Sequence, residues 1–202
     1  PFMVIAAIVV VLVIGVGIYT YVHQNRVQQS AVAAEQMQTL FSDWQAAEED
    51  QKSDLAKEIA ATGNETIDKF SGMYAAARSR LLLGRLAFAQ EDYSAAVEHF
   101  TALADSQPKS FLAPIALMHA AVSQEKSGEY EDAIATYQRV REKYSDTFPE
   151  VPHALFSIGR LYEQIEDRDA ALQAYNEVVD DFSSSNWTNL ARDRIIYLET
   201  IN

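Results

Sequence analysis

The hydrophobic pattern of this chain changes character twice. From Phe2 to Val22 the stretch "FMVIAAIVVVLVIGVGIYTYV" shows no alternation and carries no charge. From Val27 to Trp44, the apolar positions Val27, Ala31, Ala34, Met37, Phe41 and Trp44 recur at helical spacing along one stripe. "SDLAKEIAATGN" then reads as a short helix stopped at Gly63. Beyond it the apolar positions fall into successive pairs of helical stripes. Trp187, Ala191, Ile195 and Leu198 describe a final helix, whose polar face with Arg192, Asp193 and Glu199 suits the cap of a stack.

The uncharged stretch makes a helix roughly 31 Å long, which matches a hydrocarbon core of about 30 Å. Val and Ile are poor helix formers in water, but in lipid every backbone group must bond internally, so a helix is forced. Tyr19 and Tyr21 fall where an interfacial aromatic belt lies, next to His23 and Arg26. A cleavable signal peptide is the competing reading, with "AVA" at 31–33 as its cleavage site. Its apolar core would exceed the usual length of about 7–15 residues, and Ala33 lies far beyond it. The pattern therefore predicts a membrane anchor over 1–26 that spans at 2–22. The chain opens at Pro1 rather than Met, so an upstream segment is expected, and the positive-inside count leaves orientation open.

A phrase is written three times: "EDYSAAVEHF", "EYEDAIATY" and "EDRDAALQAY". Aligned on Ala96, Ala133 and Ala171, the copies step by 37 and 38 residues, and the aromatics Phe100, Tyr137 and Tyr175 keep the same steps. Twelve residues before each Ala stands another small residue, Gly84, Ala121 or Gly159. Three before it stands Tyr93, Tyr130 or Arg168. A fixed period of this size signals stacked supersecondary units. Small residues let paired antiparallel helices approach, and aromatics fill the wider gaps. Each unit reads as helix, turn, helix. "QED" turns in the first, Gly128 turns in the second, and Pro114 and Pro152 suit the first turns of their helices. The predicted fold is all-α: a single N-terminal transmembrane helix, then a helical domain over 27–202. That domain is an α-solenoid of about three helix pairs (73–109, 110–148 and 149–185) with flanking helices, the last at 187–201.

Charge and composition narrow the function. Sixteen Lys and Arg stand against 29 Asp and Glu, a net charge of −13, which opposes an electrostatic grip on nucleic acid or an anionic lipid surface. The absence of cysteine removes disulfides, Cys-based zinc sites, thiol catalysis and N-terminal Cys lipidation. His23, His99, His119 and His153 show no metal-ligand spacing, and His119, among apolar neighbours, reads as a buried or half-buried helix histidine. The acidic run at 47–54 reads as an exposed helix end. No Gly-rich phosphate loop and no GxSxG motif occur. No catalytic residue, metal site, cofactor or small-molecule substrate is expected, and the chain reads as a non-enzyme.

"IGRLY" (Ile158 to Tyr162), "LGRLAF" (Leu83 to Phe88), the alanines and aromatics above and Pro108 together resemble the tetratricopeptide repeat. The departures are Ala120–Ala121 in place of Leu-Gly, missing tryptophans and a period above 34. The whole arrangement, with Asp68 to Phe100 and "ARDRIIYLE" (Ala191 to Glu199) as its most family-like stretches, is similar to the ancillary SecYEG translocon subunit (YfgM-like) family. That resemblance implies a bacterial inner-membrane protein with its domain in the periplasm, partnered by the Sec translocon and a periplasmic chaperone. An envelope or outer-membrane assembly factor and a cytosol-facing import receptor are the alternative readings. In the family register the first helices of the pairs line a concave binding face. This places Arg78, Arg85, Phe88, Met118, His153, Phe156 and Arg160 as candidate partner-binding residues, with Arg85 and Arg160 at the same repeat position. Such arginines either receive a carboxylate or extended peptide, or pair with Glu on a neighbouring helix.

Overall fold

A computed structural model describes the backbone of residues 2–200 and the side chains of residues 11–200. Nine α-helices and no strand are present among the described residues. They are α1 (Phe2–Ala46), α2 (Glu49–Lys69), α3 (Tyr74–Ala89), α4 (Tyr93–Ser106), α5 (Leu112–Ser127), α6 (Tyr130–Tyr144), α7 (Val151–Gln164), α8 (Arg168–Asp181) and α9 (Trp187–Thr200). The chain divides into two compact units, Pro1–Leu82 and Leu83–Asn202.

In the first unit, the expected anchor and the amphipathic helix after it are one continuous helix of 45 residues. Its buried face runs Ser30, Ala34, Met37 and Phe41. Val27 (44% exposed) and Ala31, both assigned to that stripe from sequence, lie outside it. Helical phase, counted back four residues from Ala34, carries Ser30 inward, whereas Val27 shares the phase of Ala34 and Phe41 and is nonetheless exposed. The apolar residues Val11, Leu12, Val13, Ile14, Val16, Ile18 and Val22 are exposed on all sides of α1. Among the described residues no helix is long and apolar enough to cross a membrane. The span expected at 2–22 begins in residues 2–10, whose side chains lie outside the described set.

Gly63 does not stop α2, contrary to the sequence reading; the helix runs on to Lys69. Ala56, Ile59, Gly63 and Thr66 form its buried face, and α2 packs against α1. That burial overrides the roughly 1 kcal/mol by which glycine disfavours a helix interior relative to alanine. Phe70 then packs with Ala34 and Ala75.

The second unit is a succession of packed neighbours: α4 on α5, α5 on α6, α6 on α7, α7 on α8 and α8 on α9. The small residues have a direct cause. A Cβ built on Gly84 would lie 2.6 Å from the Phe100 ring, and one on Gly159 would lie 2.6 Å from the Tyr175 ring. The aromatic of the second helix occupies the space where the first helix has no side chain. Ala121 and Tyr137, at the equivalent positions of the middle repeat, are 0% and 1% exposed. Ala96, Ala133 and Ala171 are each 0% exposed, as close helix contact requires.

The turns within the three pairs share one backbone form. Glu91 (φ 61°), Gly128 (φ 82°) and Glu166 (φ 63°) are left-handed. The next amide in each case reaches back to close the helix: Asp92 to the Ala87 carbonyl at 2.9 Å, Glu129 to Gln124 at 2.9 Å and Asp167 to Tyr162 at 2.8 Å. Asp92 and Asp167 then cap the following helix, accepting from the amides of Ala95 (3.1 Å) and Ala170 (3.0 Å). Pro152 sits in the first turn of α7 as expected.

Two substitutions test this packing in opposite directions. Gly159→Ala forces a methyl against the Tyr175 ring and should lower stability by about 1–3 kcal/mol despite alanine's better helix propensity. Glu166→Gly relieves a side chain held at positive φ and should raise stability by about 1 kcal/mol. Urea denaturation of both variants against the parent chain checks the pair; a neutral Gly159→Ala would remove the close-contact explanation.

Candidate functional site

The candidate binding residues are best built outward from Tyr137 and Tyr175. Both aromatics are buried by the small-residue contact, which points their hydroxyls back along the partner helix. Tyr137 donates to Glu125 Oε1 at 2.8 Å, and Tyr175 donates to Glu163 Oε1 at 2.5 Å. In both cases the glutamate lies twelve residues before the tyrosine. Each glutamate also holds an arginine from a later helix. Arg160 of α7 donates through Nη2 to Glu125. Arg194 of α9 donates through Nε to Glu163 Oε1 at 3.0 Å and through Nη2 to Glu163 Oε2. The result is a twice-repeated Tyr–Glu–Arg group that joins one helix pair to the next element.

The electrostatics follow from this geometry. Burial pushes the Glu163 carboxyl up, but the Arg194 and Tyr175 hydrogen bonds together outweigh it and hold the group below its ordinary range. Burial first, then the adjacent glutamate, raises the hydroxyl pKa of Tyr137 and of Tyr175, so both remain donors. The hydrogen bond to Glu163 raises Arg194 further. In the first repeat the two equivalent positions are Phe88 and Phe100, so the hydroxyl and the carboxylate are exchanged together for apolar rings.

An open cleft of about 450 Å³ lies over the second group, lined by Phe156, Arg160, Glu163, Gln164, Tyr175 and Arg194. Its aromatic wall is Phe156 against Tyr175, with ring centroids 5.3 Å apart. The Arg160 and Arg194 side chains are 49% and 38% exposed, while their glutamates are mostly covered. The cleft therefore presents two guanidinium groups beside an aromatic surface, an arrangement able to meet an extended chain with carbonyl or carboxylate acceptors.

The structure brings some of the sequence candidates together. Phe156 and Arg160 share the cleft. His153 stacks on Trp187 with rings 4.2 Å apart and 3° from parallel, and Phe156 lies 5.1 Å from the same indole. Burial lowers the His153 pKa, with Glu150 opposing the shift. Arg85, Phe88 and Met118 are half-buried and do not line the cleft. Phe88 meets Tyr93 edge-on at 5.4 Å. Arg85 acts on His119, whose pKa is lowered first by partial desolvation and then by that charge. His119 is exposed by surface area yet partly desolvated where it lies across the Phe100 ring at 5.2 Å, so the enclosure expected from sequence is partial. Arg78 belongs to the first unit, where it donates to Gln38 Oε1. Arg160 is thus paired with a glutamate of a neighbouring helix, one of the two roles open to it from sequence. Arg194 carries no signal of this role in the sequence. The Tyr–Glu spacing could have flagged the carboxylates, but α9 departs from the repeat register and hides the arginine.

The bonding of Glu163 gives a pH dependence. Its folded pKa is depressed below the ordinary 4.5, so its contribution is full above that value and lost as pH falls through the folded one. Glu163→Gln should cost about 1–3 kcal/mol at neutral pH, and the gap from the parent chain should narrow below about pH 4. Urea titrations at both pH values check this; an equal gap at each would assign the loss to packing.

Comparison with known proteins agrees with this architecture. The family profile described as a tetratricopeptide repeat-like domain matches residues 2–198. A TPR repeat-containing protein of Treponema pallidum (strain Nichols) is 29% identical over 123 residues, which cover 61% of this chain and 51% of that protein. The chain spans about half the length of that curated relative. Domains of this kind typically mediate protein–protein interaction. Three aligned helix pairs, small residues under aromatic rings and a profile match over nearly the whole chain lead to one statement: the chain belongs to the tetratricopeptide repeat-like domain family.

Proposed function

We propose that this protein is a membrane-tethered interaction scaffold, an ancillary subunit of the bacterial Sec translocon that links it to a periplasmic chaperone. The observation that carries the scaffold reading is the cleft between α7 and α9, where Arg160 and Arg194 flank Phe156 and Tyr175. The partner contributes an extended segment whose acceptors meet the guanidinium groups and whose apolar side chains meet the rings. No reacting group is needed for such a role.

The tether reading is supported by the exposed apolar surface of α1 at 11–22. Thr20 donates to the Val16 carbonyl at 2.7 Å, so its hydroxyl is satisfied within the helix, as lipid demands. The inner-membrane location, the periplasmic face and the Sec partner are what the resemblance of the whole arrangement to the ancillary translocon-subunit family implies.

Purification of the full chain from crosslinked membranes in mild detergent tests the reading. Enrichment of translocon subunits and a membrane-anchored chaperone is expected. The double variant Arg160→Glu/Arg194→Glu should lose the partner seated in the cleft several-fold. Recovery of envelope-assembly proteins alone, or equal recovery with the double variant, would overturn the proposal.

A further inference from the structure

We infer that the corner where α2 turns into α3 is a foot that rests among phospholipid headgroups, an inference that relies on the tether reading of residues 2–22. Its first support is depth. Arg26 lies four residues beyond Val22 on the same helix, about 6 Å along the axis. The polar layer on each side of a bilayer is about 5–8 Å deep. With the apolar stretch in the hydrocarbon, Arg26 stands among the headgroups.

The second support is the fold of the first unit. Arg26 Nη2 donates to the Lys69 carbonyl at 3.0 Å. That bond satisfies a carbonyl at the end of the helix and sets a cation at the negative end of α2. It also brings the end of α2 to the depth of Arg26. The chain then turns: Phe70 is buried with Ala34 and Ala75, while Ser71 and Gly72 are exposed, Gly72 at φ 75°. The Lys69 ammonium lies over the Phe70 ring at 5.5 Å. Lys69 is exposed beside Arg26, so two cations share one corner.

The order of groups along the axis gives the third support. An exposed apolar surface on α1 gives way to exposed Tyr19 (70%) and Tyr21 (72%), with Tyr19 stacked on His23 at 5.9 Å. Arg26 and Lys69 follow. Apolar surface, aromatic belt and then cations is the sequence of chemistry met on leaving a bilayer. The net charge of −13 and the neighbouring Asp68 oppose long-range attraction to an anionic membrane. The contact is therefore local, made with headgroup phosphates that the tether places within reach, zwitterionic lipids included. Two points of support, α1 and the foot, would restrict how far α1 tilts.

The chain has no cysteine, so single replacements carry a fluorophore without further change. Val16→Cys, Ser71→Cys and Gln45→Cys full-length chains, each labelled, are placed in phosphatidylcholine vesicles containing a lipid with a nitroxide on its headgroup. Gln45 is the distant reference, about 34 Å beyond Val22 along α1. The Val16 label should report an apolar environment, and the Ser71 label should be quenched several-fold more than the Gln45 label. Lys69→Glu should reduce quenching at Ser71 and leave the Val16 label unchanged. If Val16 is inserted but Ser71 is quenched no more than Gln45, the foot is wrong and the tether stands. If Val16 remains in water, both fall. Unchanged Ser71 quenching in Lys69→Glu would overturn the phosphate contact.

Discussion

An aromatic ring laid against a position with no side chain is the contact on which the second unit depends. At Gly84 and Gly159 even a methyl would enter the facing ring, so the distance between the paired helices is set by the ring itself. Close packing then leaves the ring one orientation, because a core of this density tolerates few alternatives. For Tyr175 that orientation carries the hydroxyl to Glu163, and the anchored carboxylate becomes a fixed acceptor for Arg194. A van der Waals contact thus positions an ion pair. Phe100, which lacks the hydroxyl, comes with Phe88 where the carboxylate would stand, and leaving an unmatched buried polar group is avoided.

The ion pairs in turn shape the surface. Surface arginines are costly to hold in one rotamer, and isolated exposed pairs contribute little. Here the glutamates are mostly covered and already hold a tyrosine, so part of the ordering is supplied by the core. The arginines become a wall of the cleft with a set direction, so a partner seated there as proposed would not bear the cost of fixing them. Between the second helices, Arg139 reaches Asp105 at 2.5 Å and Arg141 reaches Glu177, which ties neighbouring pairs on α4, α6 and α8. The Tyr144 hydroxyl adds a bond to the Pro108 carbonyl at 3.0 Å.

How much of this was legible follows from what each residue answers to. The helix pairs are readable because steric demands repeat with the fold: Ala96, Ala133 and Ala171 are fully buried in all three repeats. Gly128 was readable as a turn, since its φ of 82° favours glycine. Glu91 and Glu166 take the same conformation with no such mark, because closure of the helix end holds them there. Gly63 misled for the converse reason: its local preference is weak, and burial against α1 decided the outcome. His119 looked enclosed from its neighbours in sequence, but those neighbours point to other sides of α5. The candidate site was half legible. Phe156 and Arg160 could be placed by register, whereas Arg194 sits on a helix that departs from the period.

The first unit poses a different mechanical problem. A helix of 45 residues is about 68 Å long, more than twice a hydrocarbon core, and from Val22 to Ala46 it contains neither glycine nor proline. Sharp kinks need such residues, a π-bulge or an inserted group, so α1 has no built-in joint between its apolar end and the face that packs on α2. A tilt of the apolar end is therefore carried toward Ser30, Ala34, Met37 and Phe41 with no hinge to absorb it. A flexible linker would uncouple a tethered domain from its membrane and let it sample a wide volume. On the proposed tether reading, a continuous helix clasped at Arg26 would do the reverse for the first unit, giving up reach for a fixed height above the bilayer.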